Sequence, residues 1–172
     1  IPRDTLIEVE NAHDGNGNYI PYWKINAAYV LGGEQEVIEQ VESLLDIKVN
    51  YLVEIDYAAF RNLIDAVGGV EMYIDRDMYY DDDAQDLHIY FNKGETVLLD
   101  GQKAEEFFRW RKNNDGTGLE DGDLGRIKNQ QKFISALVEK CTNPMIVTQV
   151  PDILKAIKEN VVTNMSGTDM IK

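Results

Sequence analysis

Cysteine, histidine and positive charge are scarce in this sequence, and each shortage removes a class of explanation. Cys141 stands alone, so the chain forms no internal disulfide and offers no cysteine-based metal site. Its two histidines, His13 and His88, sit in no spacing that suggests a metal centre or an activated nucleophile. Seventeen Lys and Arg against 31 Asp and Glu leave a formal charge of −14, which argues against a nucleic-acid partner, since such partners need a basic face. No signal peptide is present, and no apolar run is long enough to span a bilayer. The chain also lacks repeats, low-complexity segments and an internal linker.

What remains is an ordinary folded composition, 44% hydrophobic and 28% charged, which argues against disorder. A length of 172 residues suits one domain with a substantial core, read here as a single domain over 1–172. A short strand is predicted at Leu6–Val9, followed by a polar turn at Asp14–Asn18 and a helix over Glu34–Leu45. Tyr51–Ile55 reads as a strand. Asp56 caps a helix whose buried stripe is Ala59, Phe60, Leu63, Ile64 and Val67, and Gly68-Gly69 stops it before a strand at Val70–Ile74. This strand–helix–strand unit signals an α/β layered fold. Asp75–Asp86 reads as an acidic stretch, with Asp81-Asp82-Asp83 in a solvated loop that lacks the ligand spacing of an EF-hand. Leu87–Phe91 reads as a strand. One helix is expected from near Asp100 through Phe108, another from near Asp121–Asp123 to about Cys141 and a last one over 151–160. The abrupt start at Ile1-Pro2-Arg3-Asp4-Thr5 and the cap-like Thr163–Ser166 suggest a fragment of a longer protein.

Within this acidic background the arginines carry the chemistry. Arg109 and Arg111 bracket Trp110, and Arg126 follows an acidic, Gly-rich loop. A guanidinium donates paired hydrogen bonds to phosphate and keeps its charge when desolvated. If the chain extends beyond Phe108, Arg109 and Arg111 share one face, roughly 7 Å apart, a spacing suited to gripping a diphosphate. The alternative is a solvated helix end, where arginines favour the negative pole of the helix. Arg126 and Gln130 share a helix face that continues as Phe133, Ile134 and Leu137. An arginine at the edge of that apolar stripe requires a carboxylate, such as Asp121 or Asp123, or an anionic ligand. Arg3 with Asp4 reads as a surface ion pair, and Lys24 is unremarkable by itself.

As an ordered set, these residues resemble the LytR-CpsA-Psr family of bacterial cell-envelope proteins. The likeness runs through Ile1–Thr5, Lys24–Tyr29 with Gly32-Gly33, and Asp65–Val70. It continues through Leu99–Ala104, Arg109-Trp110-Arg111 and Gly122–Arg126 with Gln130-Gln131, covering nearly the whole chain. The resemblance implies an α/β/α layered domain with a central mixed sheet flanked by helices. It also implies a phosphotransferase that moves a glycopolymer (wall teichoic acid, capsule or another secondary wall polysaccharide) from a polyisoprenyl-pyrophosphate carrier to peptidoglycan. Such proteins work at the outer face of the cytoplasmic membrane, here through an expected N-terminal anchor outside this sequence. Arg3, Arg109, Arg111, Arg126 and Gln130 fall on the family's pyrophosphate-binding places, with Lys24 nearby and a hydrophobic pocket for the lipid tail. Four of these, Arg3, Arg109, Arg111 and Arg126, are the expected catalytic residues. Magnesium is the implied cofactor, but the family's metal-binding aspartates lie upstream of residue 1. Asn129 stands where the family often has arginine, beside Lys128. The alternatives are a polyprenyl-phosphate-binding envelope protein without turnover and a lipid pyrophosphatase.

Overall fold

The computed structural model describes residues 1–10, 12–119, 122–143, 146 and 161–166. The chain divides into two compact units, Ile1–Leu52 and Val53–Lys172. Strand pairing among the described residues forms four antiparallel two-stranded ladders, one in the first unit and three in the second.

The first unit pairs β1 (Leu6–Glu8) with β2 (Tyr22–Lys24), Ile7 opposite Trp23. The intervening turn forms where it is predicted. The Asp14 carboxylate accepts hydrogen bonds from the Asn16 and Asn18 amides, both at 2.9 Å, and this local bonding explains why the segment turns. After a short 3₁₀ turn, α1 runs over Ala28–Leu45. Its first turn therefore precedes the helix expected from Glu34. The Gly32-Gly33 pair, with Gly33 at φ 68°, interrupts the helical path between the two parts. Ile7, Val9, Ala12 and Ala28 make a small core covered by Trp23, Ile25 and Val37.

In the second unit, β3 (Val53–Ile55) pairs with β8 (Val161–Thr163), so Thr163, the first residue of the cap-like segment, ends a strand. The stripe predicted for α2 (Tyr57–Ala66) is present. Asp56 accepts from the Ala59 amide at 2.7 Å, and Ala59, Phe60 and Ile64 are buried. Both Gly68 and Gly69 have φ 76°, the left-handed geometry that ends a helix, before β4 (Val70–Tyr73) pairs with β7 (Thr96–Leu99).

One correction concerns the acidic stretch. Met78–Asp82 is a strand, β5, paired residue for residue with β6 (Leu87–Phe91). Its composition reads as a loop because acidic Asp81 and Asp82 close it, with Tyr79 and Asp81 facing solvent, but Met78 is buried and Tyr80 packs on the core. The helix predicted over 151–160 lies outside the described residues.

α3 (Gly101–Arg109) and α4 (Asp123–Cys141) complete the unit. An aromatic cluster joins α2, α3 and α4: the Phe133 ring lies 5.7 Å from Phe60, 6.2 Å from Phe107 and 6.0 Å from Phe108. Offset and edge-on rings at such separations add to the area they bury. Helices α2 and α3 come together at Gly101, whose amide donates to the Asp65 carboxylate at 2.7 Å. A Cβ placed there would sit 2.4 Å from the Arg61 carbonyl oxygen, a contact that only movement of the backbone can relieve. We expect Gly101→Ala to destabilise the fold by about 1–3 kcal/mol, the usual cost of overpacking. Urea denaturation would measure this, and an unchanged midpoint would show that the helices are not held at that separation.

Candidate functional site

The last turn of α3 holds the best-anchored arginine. Glu105 lies one turn before Arg109 and is buried, its side chain 5% exposed. The Arg109 Nη1 donates to Glu105 Oε1 at 2.8 Å and the Nη2 to Gln85 Oε1 at 3.0 Å, while the guanidinium carbon lies 4.9 Å from the centre of the Tyr57 ring. Arg61 from α2 takes the other carboxylate oxygen of Glu105. Two cations thus share one buried anion. A planar guanidinium held on two edges and one face has little freedom left, so most of the entropy cost of orienting it for a ligand is already met by the fold. Arg109 is nonetheless 19% exposed, so part of the group is open to solvent.

The helix reaches one residue further than the sequence suggests, so Arg109 closes α3 rather than beginning an extended segment. Trp110 is its cap, buried to 1% exposure, with Nε1 donating to Asn113 Oδ1 at 3.1 Å. Arg111 follows in the exposed chain, next to the antiparallel bridge between Lys112 and Gly118.

Helix α4 meets this end of α3. Gln130 Nε2 donates to the Phe108 carbonyl at 3.1 Å, satisfying one of the carbonyls that a helix terminus leaves open. Arg126 lies one turn earlier on the same face of α4, is half-buried, and has its Nε withdrawn from solvent. Arg109, Gln130 and Arg126 therefore belong to one helix–helix junction of the second unit. Asp121 lies outside the described residues, and so does the side chain of Asp123.

Arg3 and Lys24 belong to the first unit, where they share Asp4. Lys24 Nζ lies 2.6 Å from Asp4 Oδ1, and Arg3 Nε lies 3.8 Å from Oδ2. The surface ion pair predicted for Arg3 and Asp4 is present, with Lys24 as the closer partner. That partnership follows from pairing β1 with β2, which sets Lys24 opposite Leu6. The same unit carries a cleft of about 1100 Å³ whose walls mix Leu6, Leu31 and Leu44 with Glu8, Glu36 and Glu39.

Sequence reasoning missed Tyr57, Arg61, Gln85 and Glu105. Only the four-residue spacing of Glu105 and Arg109 was a readable signal. His88 also has a partner after all: the β5–β6 register sets it opposite Asp81, and its Nδ1 bonds that carboxylate. Asp81, Asp83 and His88 offer three ligand atoms within 4.8 Å of one another, all on exposed side chains. This donor set does not fit magnesium, a hard cation that takes oxygen ligands, because one of the three donors is an imidazole.

The LytR_cpsA_psr family matches the chain over residues 1–172. The chain belongs to this family. Among its LytR-CpsA-Psr relatives is the polyisoprenyl-teichoic acid–peptidoglycan teichoic acid transferase TagV of Bacillus subtilis (strain 168), 34% identical over 170 residues. That match covers 98% of this chain and 41% of TagV. A Bacillus cereus (strain ATCC 14579) transferase of the same description, TagU, is 34% identical over 172 residues, covering 99% of this chain and 50% of TagU. The chain thus spans about half the length of these relatives. The crystal structure of B. subtilis TagV superposes with a TM-score of 0.75 at 33% identity, covering 99% of this chain and 61% of that one. TagT bound to LI-WTA superposes at 0.68 with 27% identity, covering 99% and 58%. The α/β class expected from the sequence is thereby established.

Two predictions follow from this geometry. Removing Arg61 or Arg109 alone leaves Glu105 one cationic partner, whereas removing both strands a buried carboxylate. The double alanine variant should therefore lose more stability than the sum of the singles, with a coupling of about 0.5–3 kcal/mol. Additive losses in chemical denaturation would contradict a shared carboxylate. For His88, the hydrogen bond it donates to Asp81 raises the imidazole above its ordinary value near 6.5, while the same bond lowers the Asp81 carboxyl. The pair contributes stability above the ordinary aspartate range and loses it as pH rises through the raised histidine value. An NMR titration should show a His88 midpoint above 6.5 that falls in Asp81→Asn. A midpoint that does not respond to that substitution would rule out the pairing.

Proposed function

We propose that this chain forms the transferase core of an enzyme that moves a glycopolymer from a polyisoprenyl-pyrophosphate carrier onto peptidoglycan. The polymer class is wall teichoic acid, capsule or another secondary wall polysaccharide. The observation that carries this reading is the end-to-end likeness to proteins named as teichoic acid transferases, together with an arginine fixed at the α3–α4 junction.

The chemistry asked of the protein is modest. A hydroxyl of peptidoglycan attacks the phosphorus that bears the sugar. A new P–O bond forms, the bond to the bridging oxygen breaks, and polyisoprenyl monophosphate leaves with the electron pair. The hydroxyl proton passes to solvent or to a basic group. Such transfers depend on alignment and on neutralising charge at the nonbridging and leaving oxygens. In our reading Arg109 and Arg126 hold the pyrophosphate, Gln130 sets the spacing between their helices, and Arg111 approaches from the exposed segment. Arg3 and Lys24 are further pyrophosphate contacts that the family likeness leads us to expect. Glu105, Arg61, Gln85 and Tyr57 are positioning residues that fix Arg109 rather than touching substrate. Magnesium remains the family's expected cofactor, with its ligands outside the Asp81–Asp83–His88 cluster. The expected site of action is the outer face of the cytoplasmic membrane; among the described residues no helix is long and apolar enough to cross a membrane.

Purified protein with magnesium, a polyprenyl-pyrophosphate-linked glycan and peptidoglycan fragments should yield glycan-bearing peptidoglycan. Arg109→Ala and Arg126→Ala should each lower transfer at least about tenfold, consistent with the loss of a charge-assisted contact of about 1.5–3 kcal/mol. Arg109→Lys should not restore full activity, because an ammonium cannot donate the paired hydrogen bonds. Release of monophosphoryl lipid without any need for an acceptor would favour a pyrophosphatase. Retained lipid without turnover would favour a binding protein.

A further inference from the structure

A second polar cleft in the Val53–Lys172 unit is left unused by the reading above. It has a volume of about 320 Å³ and opens between the segment after β4 and the outer face of α4. Arg76, Lys128, Lys132 and Asp75 bring polar groups to it, and Leu119 and Gly125 form its wall. Gly125 has a specific reason to be glycine, since a Cβ there would lie 2.8 Å from the Leu119 Cβ and push α4 off the wall. Helix geometry separates this face from that of Arg126 and Gln130. Positions 125, 128, 129 and 132 line the cleft, whereas Gln130 turns to the Phe108 carbonyl and Phe133 fills the core between.

Three features indicate what the cleft holds. Its volume lies at the lower end of those of small-ligand sites, the scale of a headgroup rather than a lipid tail. Among the described residues that line it, three are cations and one is a carboxylate, in a chain whose formal charge is −14. Asp75 does not cancel the set, because it accepts from Arg76 Nε at 2.9 Å and Lys132 Nζ at 3.1 Å and so fixes both cations beside the opening. Burial pushes the Asp75 carboxyl up, but those two partners outweigh it and hold the group below the ordinary carboxylate range, so it remains an anion at neutral pH.

The deciding observation is Asn129. It lines the cleft and is only 7% exposed, and its amide Nδ2 is buried without a hydrogen-bond acceptor. An unmet buried donor costs about 1–3 kcal/mol, so a residue of this kind at the base of a basic cleft calls for an acceptor from outside the protein. A leucine would fill the same space without that cost. We propose that this cleft binds a phosphate-type oxyanion, with the Asn129 amide, Lys128, Lys132 and Arg76 as its donors. The shared ligand chemistry is a tetrahedral phosphate, either the free ion or a phosphodiester within a polyanionic chain. This assignment stands apart from the transfer reaction and does not require it.

The test is an NMR titration of the full chain with inorganic phosphate at fixed ionic strength. The Asn129 side-chain amide and the backbone amides of Gly125 and Lys128 should shift together and saturate. Lys128→Ala and Lys132→Ala should each weaken that response about tenfold, the effect of one charge-assisted contact. Arg126→Ala should leave it unchanged, which separates this cleft from the proposed pyrophosphate site. Asn129→Leu should abolish phosphate binding in the cleft while the fold, followed by thermal melting, persists. A short glycerol phosphate oligomer that binds more tightly than phosphate would identify the ligand as a polymer phosphodiester, and equal affinity would identify the free ion. Non-saturating shifts, an equal response to acetate, or unchanged phosphate affinity in both Asn129→Leu and Lys128→Ala would overturn the proposal.

Discussion

The second unit depends on one buried carboxylate. Glu105 sits between Arg61 of α2 and Arg109 of α3, so the contact that packs two helices together also orients the arginine at the end of α3. A buried anion is tolerated only when its partners are well placed, and breaking such an arrangement costs more than forming it gains. The fold meets that demand through close approach: Gly101 lets α3 settle against the Arg61 backbone, and the Phe60–Phe107–Phe108–Phe133 cluster holds α4 against both helices. Stability and the geometry of the site therefore have the same source.

The candidate site is built at helix termini. Arg109 closes α3, Gln130 reaches the Phe108 carbonyl at that terminus, and Arg126 follows on the same face of α4. Helix ends expose unpaired backbone groups that need partners, and side chains recruited to satisfy them are held in defined positions. α4 presents chemistry on two faces. One carries Arg126 and Gln130, and the other lines the basic cleft around Asn129, with Phe133 buried between them. A helix that anchors the core is stiff enough to keep both faces in register.

Elements with strong local signals were legible in the sequence. The α2 stripe, its Asp56 cap and its Gly68-Gly69 stop could each be read from neighbouring residues, as could the cap of α3 at Asp100 and the body of α4. Elements fixed by distant partners were not. Met78–Asp82 is acidic enough to read as a loop, and only its pairing with Leu87–Phe91 makes it a strand. The same pairing gives His88 its partner. Val161–Thr163 owes its conformation to Val53–Ile55.

The arginines were legible as residue types, and their surroundings only in part. Glu105 could be found by its spacing to Arg109, whereas Arg61, Gln85 and Tyr57 reach that guanidinium through packing that no local pattern encodes. Lys24 meets Asp4 only because β1 and β2 are neighbours.

The central claim is that guanidinium groups fixed by this fold recognise a diphosphate. Isothermal calorimetry with a short-chain prenyl pyrophosphate, compared with the matching monophosphate, tests it most directly. The account predicts saturable binding that favours the pyrophosphate and is lost in both Arg109→Ala and Arg126→Ala. Equal affinity for the two lipids, or pyrophosphate binding that survives both substitutions, would contradict it.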